Sequence, residues 1–464
     1  MIESPFKTAT QEERFFLSEQ KKPFQEKHGF FPPAKNMAHT NIYHEIPKLP
    51  VIDAIVNTIL PVKGHLGDLE STVVIGVQHM LETTATLFKG LIDIGINPKN
   101  MYFIGKCYST SPIVEKEIIE LGVNVFPSTP PSKLGQYHEA CMKSIEKMWE
   151  LFLRESKTKK VTRLIILDEG GRCLETMPRN FFYKYEISGI EQTRGGLYSK
   201  LLDTFLFPLI DVASSVVKKQ IEPPLVAEAV QKEVAKLLQD MNLGEDPIFG
   251  VVGNGAIGKG IVKYLLSCGY IVNVYDEDVN SFSGISDLKF CRFSDIKTLI
   301  TNSDCIFGCT GKDITSDIDI FDIVQKDKIF VSSSSEDKEF LSALKKVGKM
   351  NKIISVNPLL DIICSTHTGH KITIAKGGFP MNFNREPWNV PANDIEVTQG
   401  LLLGSCIQAI LNASSLLIDG FNASKLSRMK LDPYLQRFVL NHWIPRQPEG
   451  RYSEEHIKQF ESID

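Results

Sequence analysis

The sequence predicts an α/β chain folded as two doubly wound units with parallel sheets. Three observations carry that reading. Short apolar, β-branched runs alternate with stretches of helical spacing from about residue 72 onward. A second series of the same kind begins after residue 225. Between the first strand and the first helix of that second series stands a glycine-rich turn, Gly253-Asn254-Gly255-Ala256-Ile257-Gly258.

The elements follow in order. Residues 72–77 (TVVIGV) read as a buried strand and 80–95 as a helix. MYFIG at 101–105 is the next strand, and 112–121 a helix closed by Gly122. VNVF at 123–126, a long amphipathic helix over 134–155 and RLIILD at 163–168 complete the first series. Residues 225–242 have helical spacing and lead into IFGVV (248–252), a helix over 256–267 and YIVNVY (270–275). SDCIFGC (303–309), KIFVSS (328–333) and KIISV (352–356) continue the series. Alternation of this kind implies parallel sheets covered by helices on both faces. The expected organisation is 1–224 as one α/β domain with an N-terminal extension, 225–395 as a second, and 396–464 as a C-terminal helix returning to the first, with a polar tail.

Composition bounds the function. The 464 residues are 42% hydrophobic and 23% charged, as in an ordinary globular protein. Lys+Arg 52 against Asp+Glu 56 leaves a formal charge of -4, so no basic excess supports nucleic-acid binding. Nine scattered cysteines without a C-x-x-C suggest neither a disulfide framework nor a zinc knuckle. A reduced, cytoplasmic protein is expected. The N-terminus carries early acids and no apolar core, unlike a signal peptide. Residues 397–418 carry no charge, but Ser405, Gln408, Asn412, Ser414 and Ser415 interrupt their apolar run, so a buried helix at a domain or subunit interface is expected rather than a membrane span. His367 and His370 stand as H-x-x-H with no third ligand at useful spacing, and no metal is expected.

The glycine turn carries the sharpest chemistry. Gly253 permits a tight turn, Gly255 lets backbone approach a pyrophosphate, and Gly258 allows helix to pack on strand. A helix beginning at Ala256 and Ile257 offers free N–H groups to phosphate. Asp276 ends the next strand, where an acid holds ribose hydroxyls and repels a 2′-phosphate. The cofactor expected of this Rossmann-like unit is NAD.

Beyond the turn, VQHMLETTATL (77–87), CYST (107–110), ILDEGG (166–171), GIEQTRGG (189–196), DVASSVVKKQIEP (211–223), GNGAIGKG (253–260) and CTGKD (309–313) occur in one order. Together they resemble the S-adenosylhomocysteine hydrolase (adenosylhomocysteinase) family, over roughly residues 70–420. The resemblance implies bound NAD that oxidises a ribose 3′-hydroxyl, elimination of the thiol from the keto intermediate, addition of water and return of the hydride. It implies Lys218 as the group taking up the 3′-proton, Glu222 and Glu169 as ribose-facing carboxylates, and His79 as a proton-transfer group. It places Thr193, Thr310, Gly311 and Asn382 against the cofactor. The plainer alternatives are a histidine capping the following helix, a surface lysine and solvated loop acids. A nucleoside-like small molecule and a homo-oligomer, but no membrane, are the partners implied.

Several positions depart from the family. Gln192 stands for a glutamate, Leu81 and Thr83 for the residues facing the base, Ser335 and Glu386 for histidines. Three readings are therefore open: oxidation of a different ribosyl or thioether nucleoside, true adenosylhomocysteine hydrolysis, or NAD binding without catalysis. The departures predict that adenosylhomocysteine is a poor substrate.

Overall fold

The computed structural model describes residues 45–126, 130–197, 207–240, 246–283, 289–349, 359–416, 428–452 and 460. After helix α1 (Pro50–Ile59) the chain runs β1 (Thr72–Gln78), α2 (Glu82–Ile94), β2 (Met101–Gly105), α3 (Pro112–Glu120), β3 (Asn124–Phe126), α4 (Tyr137–Glu155), β4 (Arg163–Asp168), α5 (Arg172–Thr176), β5 (Glu186–Glu191), α6 (Arg194–Leu197) and β6 (Leu209–Asp211). Helix α7 (Val216–Asp240) leads to β7 (Ile248–Val252), α8 (Ala256–Ser267), β8 (Ile271–Tyr275), β9 (Phe290–Arg292), α9 (Ile296–Thr301), β10 (Cys305–Gly308), α10 (Ile320–Ile323), β11 (Lys328–Ser332), α11 (Leu341–Val347), β12 (Ile362–Ser365) and β13 (Lys371–Ile374). Helix α12 (Ala392–Leu416), β14 (Arg428–Lys430) and α13 (Pro433–Trp443) follow.

The strands form two sheets of seven, ordered β14-β6-β5-β4-β1-β2-β3 and β12-β13-β11-β10-β7-β8-β9. All pairs are parallel except β12 with β13. This is the α/β architecture of two doubly wound sheets. In each sheet the order reverses at one strand, β1 in the first and β7 in the second, and that reversal opens a crevice at the strand carboxyl ends.

Burial on both faces explains why β1 and β4 are apolar throughout. Val74, Ile165 and Leu167 pack with α1, α2 and α12 residues such as Ile55, Phe88 and Leu403. Val73, Ile75 and Ile166 pack on the other face with Trp149, Phe152 and Phe181. In the second sheet Phe249 and Val251 meet Val230, Ile261 and Leu265, while Ile306 and Phe330 meet Leu299, Phe340 and Leu344.

Three expectations need correction. The uncharged helix packs within the chain: Leu401, Leu402, Leu403, Cys406 and Ile407 of α12 are buried among α1, α2, α13 and β5, so these side chains are not left for a subunit interface. Helix α7 begins at Val216, not near 225, and runs through Pro223 and Pro224. Strands β5, β6, β9, β12, β13 and β14 were not anticipated, being short or broken by acidic and polar residues. The strand expected at 352–356 lies outside the described residues. No helix among them is long and apolar enough to cross a membrane.

Candidate functional site

A cavity of about 740 Å³, part of it open to solvent, lies where the carboxyl ends of β1, β4 and β5 meet α7, the start of α12 and residues 382–390. His79, Glu169, Gln192, Thr193, Lys218, Glu222 and Asn382 all line it. Residues separated by up to three hundred positions in the sequence are thus brought together by the sheet topology, at the end of a parallel sheet where such sites form.

The start of α7 at Val216 puts Lys218 and Glu222 one turn apart on one face, and their side chains form an ion pair. Lys218 is buried whereas Lys219 beside it is exposed, so Lys218 is not a surface lysine. Thr398 Oγ1 of α12 donates to Glu222 Oε2 at 2.9 Å and fixes that carboxylate from the other side.

His79 does not cap α2. Its Nδ1 meets the Ser109 hydroxyl, its Nε2 lies 2.7 Å from Glu169 Oε1, and its ring stacks on Phe383 with centroids 4.3 Å apart. Lys106 Nζ donates to the same Glu169 oxygen at 2.9 Å. Burial pushes His79 below the usual histidine range, against the pull of Glu169. Glu169 is itself buried, which alone would raise it, yet the hydrogen bond from His79 and the charge and hydrogen bond of Lys106 hold it below the usual carboxylate range. Lys106 is held above its usual range by Glu169 despite burial. Glu169 is therefore an ionised, partnered acid rather than a solvated loop residue.

Behind the site, Glu191 accepts from the backbone N–H groups of Gly170 (3.1 Å), Gly171 (2.8 Å) and Thr193 (2.7 Å), and from Thr193 Oγ1 (2.6 Å). Asp168 accepts from the N–H groups of Glu169 and Leu174, each at 2.9 Å. Burial pushes both carboxyls upward. These two acids hold the loop that presents Glu169 and Gln192.

The second group of expected residues sits at the ends of β7, β8 and β10. Gly253 has φ 98° and lies against Cys309 and Thr310: a Cβ on it would come within 2.9 Å of the Cys309 backbone and 3.0 Å of Thr310 Cγ2. A Cβ on Gly258 would fall 1.9 Å from the Gly253 carbonyl oxygen, which is the close helix–strand approach that requires glycine. A Cβ on Gly255 would meet no atom within 4 Å, so the space beside it is free. Gly255 and Ala256 are exposed, Ile257 is half-buried, and α8 starts there with no side-chain cap on its N–H groups. Asp276 Oδ2 accepts from Asn254 N at 2.5 Å and Oδ1 from Asp278 N at 2.8 Å. An open cradle, uncapped N–H groups and an acid at the next strand end fit a dinucleotide.

Thr310 and Gly311 fit less directly. Their backbone N–H groups both donate to buried Glu339, Thr310 N at 2.6 Å, so these amides are already taken. Asn382 and Thr193 stand apart from the glycine turn, on the cavity wall. Of the replaced positions, Leu81 and Thr83 line the cavity, whereas Ser335 and Glu386 are exposed and do not. The placement of Glu386 in the pocket is thus corrected: the 382–390 segment is fastened by Glu82 N donating to the Pro387 carbonyl at 2.9 Å, which leaves the preceding side chain outside.

Lys106, Ser109, Phe383, Thr398 and Gln399 were missed by the sequence reading. Lys106 directly follows β2, at the carboxyl end of the strand beside β1, and that position was its available signal. His367 is exposed beside Asp322, and no cluster among the described residues is placed to hold a metal ion. All nine cysteines are free.

No protein-family model matches the chain. Two uncharacterized proteins of Mycobacterium tuberculosis, from strains CDC 1551 / Oshkosh and ATCC 25618 / H37Rv, are each 26% identical over 370 residues, spanning 78% of this chain and 68% of theirs. Among solved structures the chain is similar to the NADPH-dependent glyoxylate/hydroxypyruvate reductase of Sinorhizobium meliloti (TM-score 0.36, 9% identity, 77% of this chain and 99% of that one). It is also similar to the dipicolinate synthase A chain of Bacillus subtilis (TM-score 0.35, 12% identity, 75% and 96%). Scores of this size bear on neither activity nor ligand.

Proposed function

We propose that this chain is an NAD-dependent enzyme that reversibly oxidises the 3′-hydroxyl of a ribosyl compound, a nucleoside or thioether nucleoside, held in the cavity described above. One observation carries the reading: the Lys218–Glu222 pair and the His79–Glu169 pair face a single cavity that Asn382, beyond the second sheet, also lines.

Bound NAD supplies a hydride acceptor that is regenerated within each turnover. The residues of the chain bind, orient and move protons. Lys218 hands a proton to Glu222, its ion-pair partner, and so takes up the proton of the hydroxyl being oxidised. Glu222 is held by Thr398 and accepts from a neighbouring ribose hydroxyl. His79, kept neutral by burial and oriented by Glu169 and Ser109, serves a second proton transfer. The segment 382–390, with Phe383 against His79, excludes water from the reacting carbon. Glycines 253, 255 and 258, Ala256, Ile257 and Asp276 would hold the cofactor, with Asn382 and Thr193 at its reacting end.

The resemblance to adenosylhomocysteinase favours this chemistry. True hydrolysis of adenosylhomocysteine is the second reading, favoured by the retained lysine, histidine and carboxylate pairings. The test is direct. NAD-loaded protein is mixed with nucleosides, and the near-ultraviolet absorbance of the reduced cofactor is followed. Reduction by a ribosyl compound, and none by its 3′-deoxy analogue, is expected. Absence of reduction by any nucleoside would overturn the reading. A coupled assay for homocysteine release then separates hydrolysis from oxidation alone. We also propose a homo-oligomer, checked by light scattering at micromolar concentration.

A further inference from the structure

Directly after β13 the backbone takes three left-handed residues in succession: Lys376 (φ 47°), Gly377 (φ 63°) and Gly378 (φ 84°). Glycine adopts this conformation freely, whereas a lysine does so only when its surroundings enforce it. Position 376 thus holds a lysine at a conformational cost, and what the lysine brings is its side chain. Its Nζ donates to the carbonyls of Met381 at 2.7 Å and Phe383 at 3.0 Å, and to Glu233 Oε2 of α7 at 3.3 Å. Three acceptors occupy the three donors of the ammonium. The Lys376 N–H donates to Asp361 Oδ1 at 2.8 Å, which fixes the start of the turn.

The two carbonyls flank Asn382, which lines the functional cavity, and the second belongs to Phe383, whose ring stacks on His79. Phe383 borders two cavities. One is the cavity described above. The other, of about 1160 Å³ and partly open to solvent, is lined by Tyr108, Lys376, Phe379 and Arg385 as well. The Phe383 ring therefore stands between His79 and a second solvent-filled space. Met381 N donates to the Ser332 carbonyl at 2.8 Å, so the segment is anchored to the end of β11 before it reaches Phe383. The next three residues, Asn384, Arg385 and Glu386, are exposed. The hold on Phe383 thus falls to Lys376 on the backbone side, and to the rings of His79 and Tyr108 on the other.

We propose that Lys376 is a positioning residue that holds Phe383 as the partition between these two cavities, and that its release lets water reach His79. Without the ammonium, the Met381 and Phe383 carbonyls lose their donor and must find water instead. That water enters from the open cavity, behind the ring. Through Glu233 the same ammonium refers the segment to α7, the helix that carries Lys218 and Glu222. The partition is a property of the cavity itself, and only its effect on turnover rests on the ribosyl-oxidation reading above.

The test reads His79 itself. Full-length protein carrying isotope-labelled histidine is titrated by NMR, and the His79 signal is assigned by its loss in His79→Gln. The parent is compared with Lys376→Met and Lys376→Gly, each shown to be folded by its thermal melt. His79 is faced by Glu169 beyond β4, Lys106 beyond β2, Glu222 of α7 and Tyr108, and all four remain in both variants. Burial holds the parental His79 below its usual 6.5. Water admitted past a released Phe383 relieves part of that effect, so the midpoint is expected to rise toward 6.5 in both variants. Lys376→Gly is the sharper comparison, because glycine accepts the left-handed turn and only the clamp is lost. A parental His79 titration in folded Lys376→Gly overturns the proposal, since the turn alone would then seat Phe383. Reduction of bound NAD by a ribosyl ligand, followed in parallel, is expected to fall about tenfold or more in both variants. A parent that reduces no NAD overturns ribosyl oxidation, while the His79 titration still decides the role of Lys376.

Discussion

Glu169 Oε1 lies 2.7 Å from His79 Nε2, and the same oxygen accepts from Lys106 Nζ at 2.9 Å. One carboxylate oxygen thus orients a neutral histidine and neutralises a buried lysine. The side chains of Lys106 and Glu169 are 3% and 6% exposed, so neither charge is balanced by water.

Removing the lysine charge therefore exposes the linkage. Glu169 is held below its usual 4.5 in the folded chain, so its contribution to stability is present above 4.5 and is lost as pH falls through its folded value. Lys106→Met removes the cation that pairs with it, and the folded value rises. We expect a loss of about 3 kcal/mol at neutral pH, and an acid limb of the stability profile displaced to higher pH. Urea unfolding across a pH series measures both. A variant whose profile runs parallel to that of the parent would show that Lys106 does not hold the Glu169 charge.

The glycine turn separates binding from folding. No atom lies within 4 Å of a Cβ on Gly255, whereas a Cβ on Gly258 collides with the Gly253 carbonyl. Gly255→Val is expected to melt like the parent and to lose NAD affinity by about 100-fold, near 3 kcal/mol. Gly258→Val is expected to disturb the turn itself and lower the melting temperature. Parental NAD affinity in Gly255→Val would mean that the cofactor does not cross this turn.

Lys218→Met tests the proton step. The pair with Glu222 disappears, but the glycine turn and Asp276 are untouched. NAD binding should stay at the parental level while reduction of bound NAD by a ribosyl ligand falls about 10²–10⁴-fold, the usual worth of a positioned proton acceptor. Single-turnover absorbance reads the rate, and reduction at the parental rate removes Lys218 from the mechanism.

Much of the fold and of the glycine turn is legible in the sequence, for particular physical reasons. Strand, glycine turn, helix and acid occur within one βαβ unit, so Gly253, Gly255, Gly258 and Asp276 are local in sequence and in space. β1, β4 and β7 announce themselves because burial on both faces demands unbroken apolar runs. Helix α7 hides its first turns because Pro223 and Pro224 read as a stop. Lys106 and Gln399 hide for another reason. Their contacts depend on which neighbour the fold sets against them, Glu169 and Thr83, and no local pattern encodes that. The polar residues Thr398 and Gln399 in an uncharged apolar helix look like interruptions until α2 and α7 are packed against them.

The last prediction concerns the tie between the two sheets. Arg172 of α5 grips Glu336, beyond β11, with two bonds: Nη2 to Oε2 at 2.8 Å and Nε to Oε1 at 3.3 Å. Their side chains are 11% and 4% exposed, and Glu336 takes φ 66°, a left-handed conformation that a non-glycine residue adopts only when its surroundings enforce it. Lys338 lies 3.1 Å from the same carboxylate. Burial alone would raise Glu336, but Lys338 and Arg172 hold it below its usual 4.5. Its stabilising contribution is therefore full above 4.5 and is lost as pH falls through the folded value. Arg172→Leu takes away the bidentate partner and leaves a buried carboxylate with Lys338 alone. We expect about 3 kcal/mol of destabilisation at pH 7, falling off as acid protonates Glu336 in parent and variant alike. The double variant Arg172→Leu/Glu336→Gln should recover part of the loss, because the stranded charge is gone. Melting temperatures of the four proteins in this cycle give the coupling. If the double variant is no more stable than Arg172→Leu, the cost lies in lost packing of the arginine stem rather than in the ion pair.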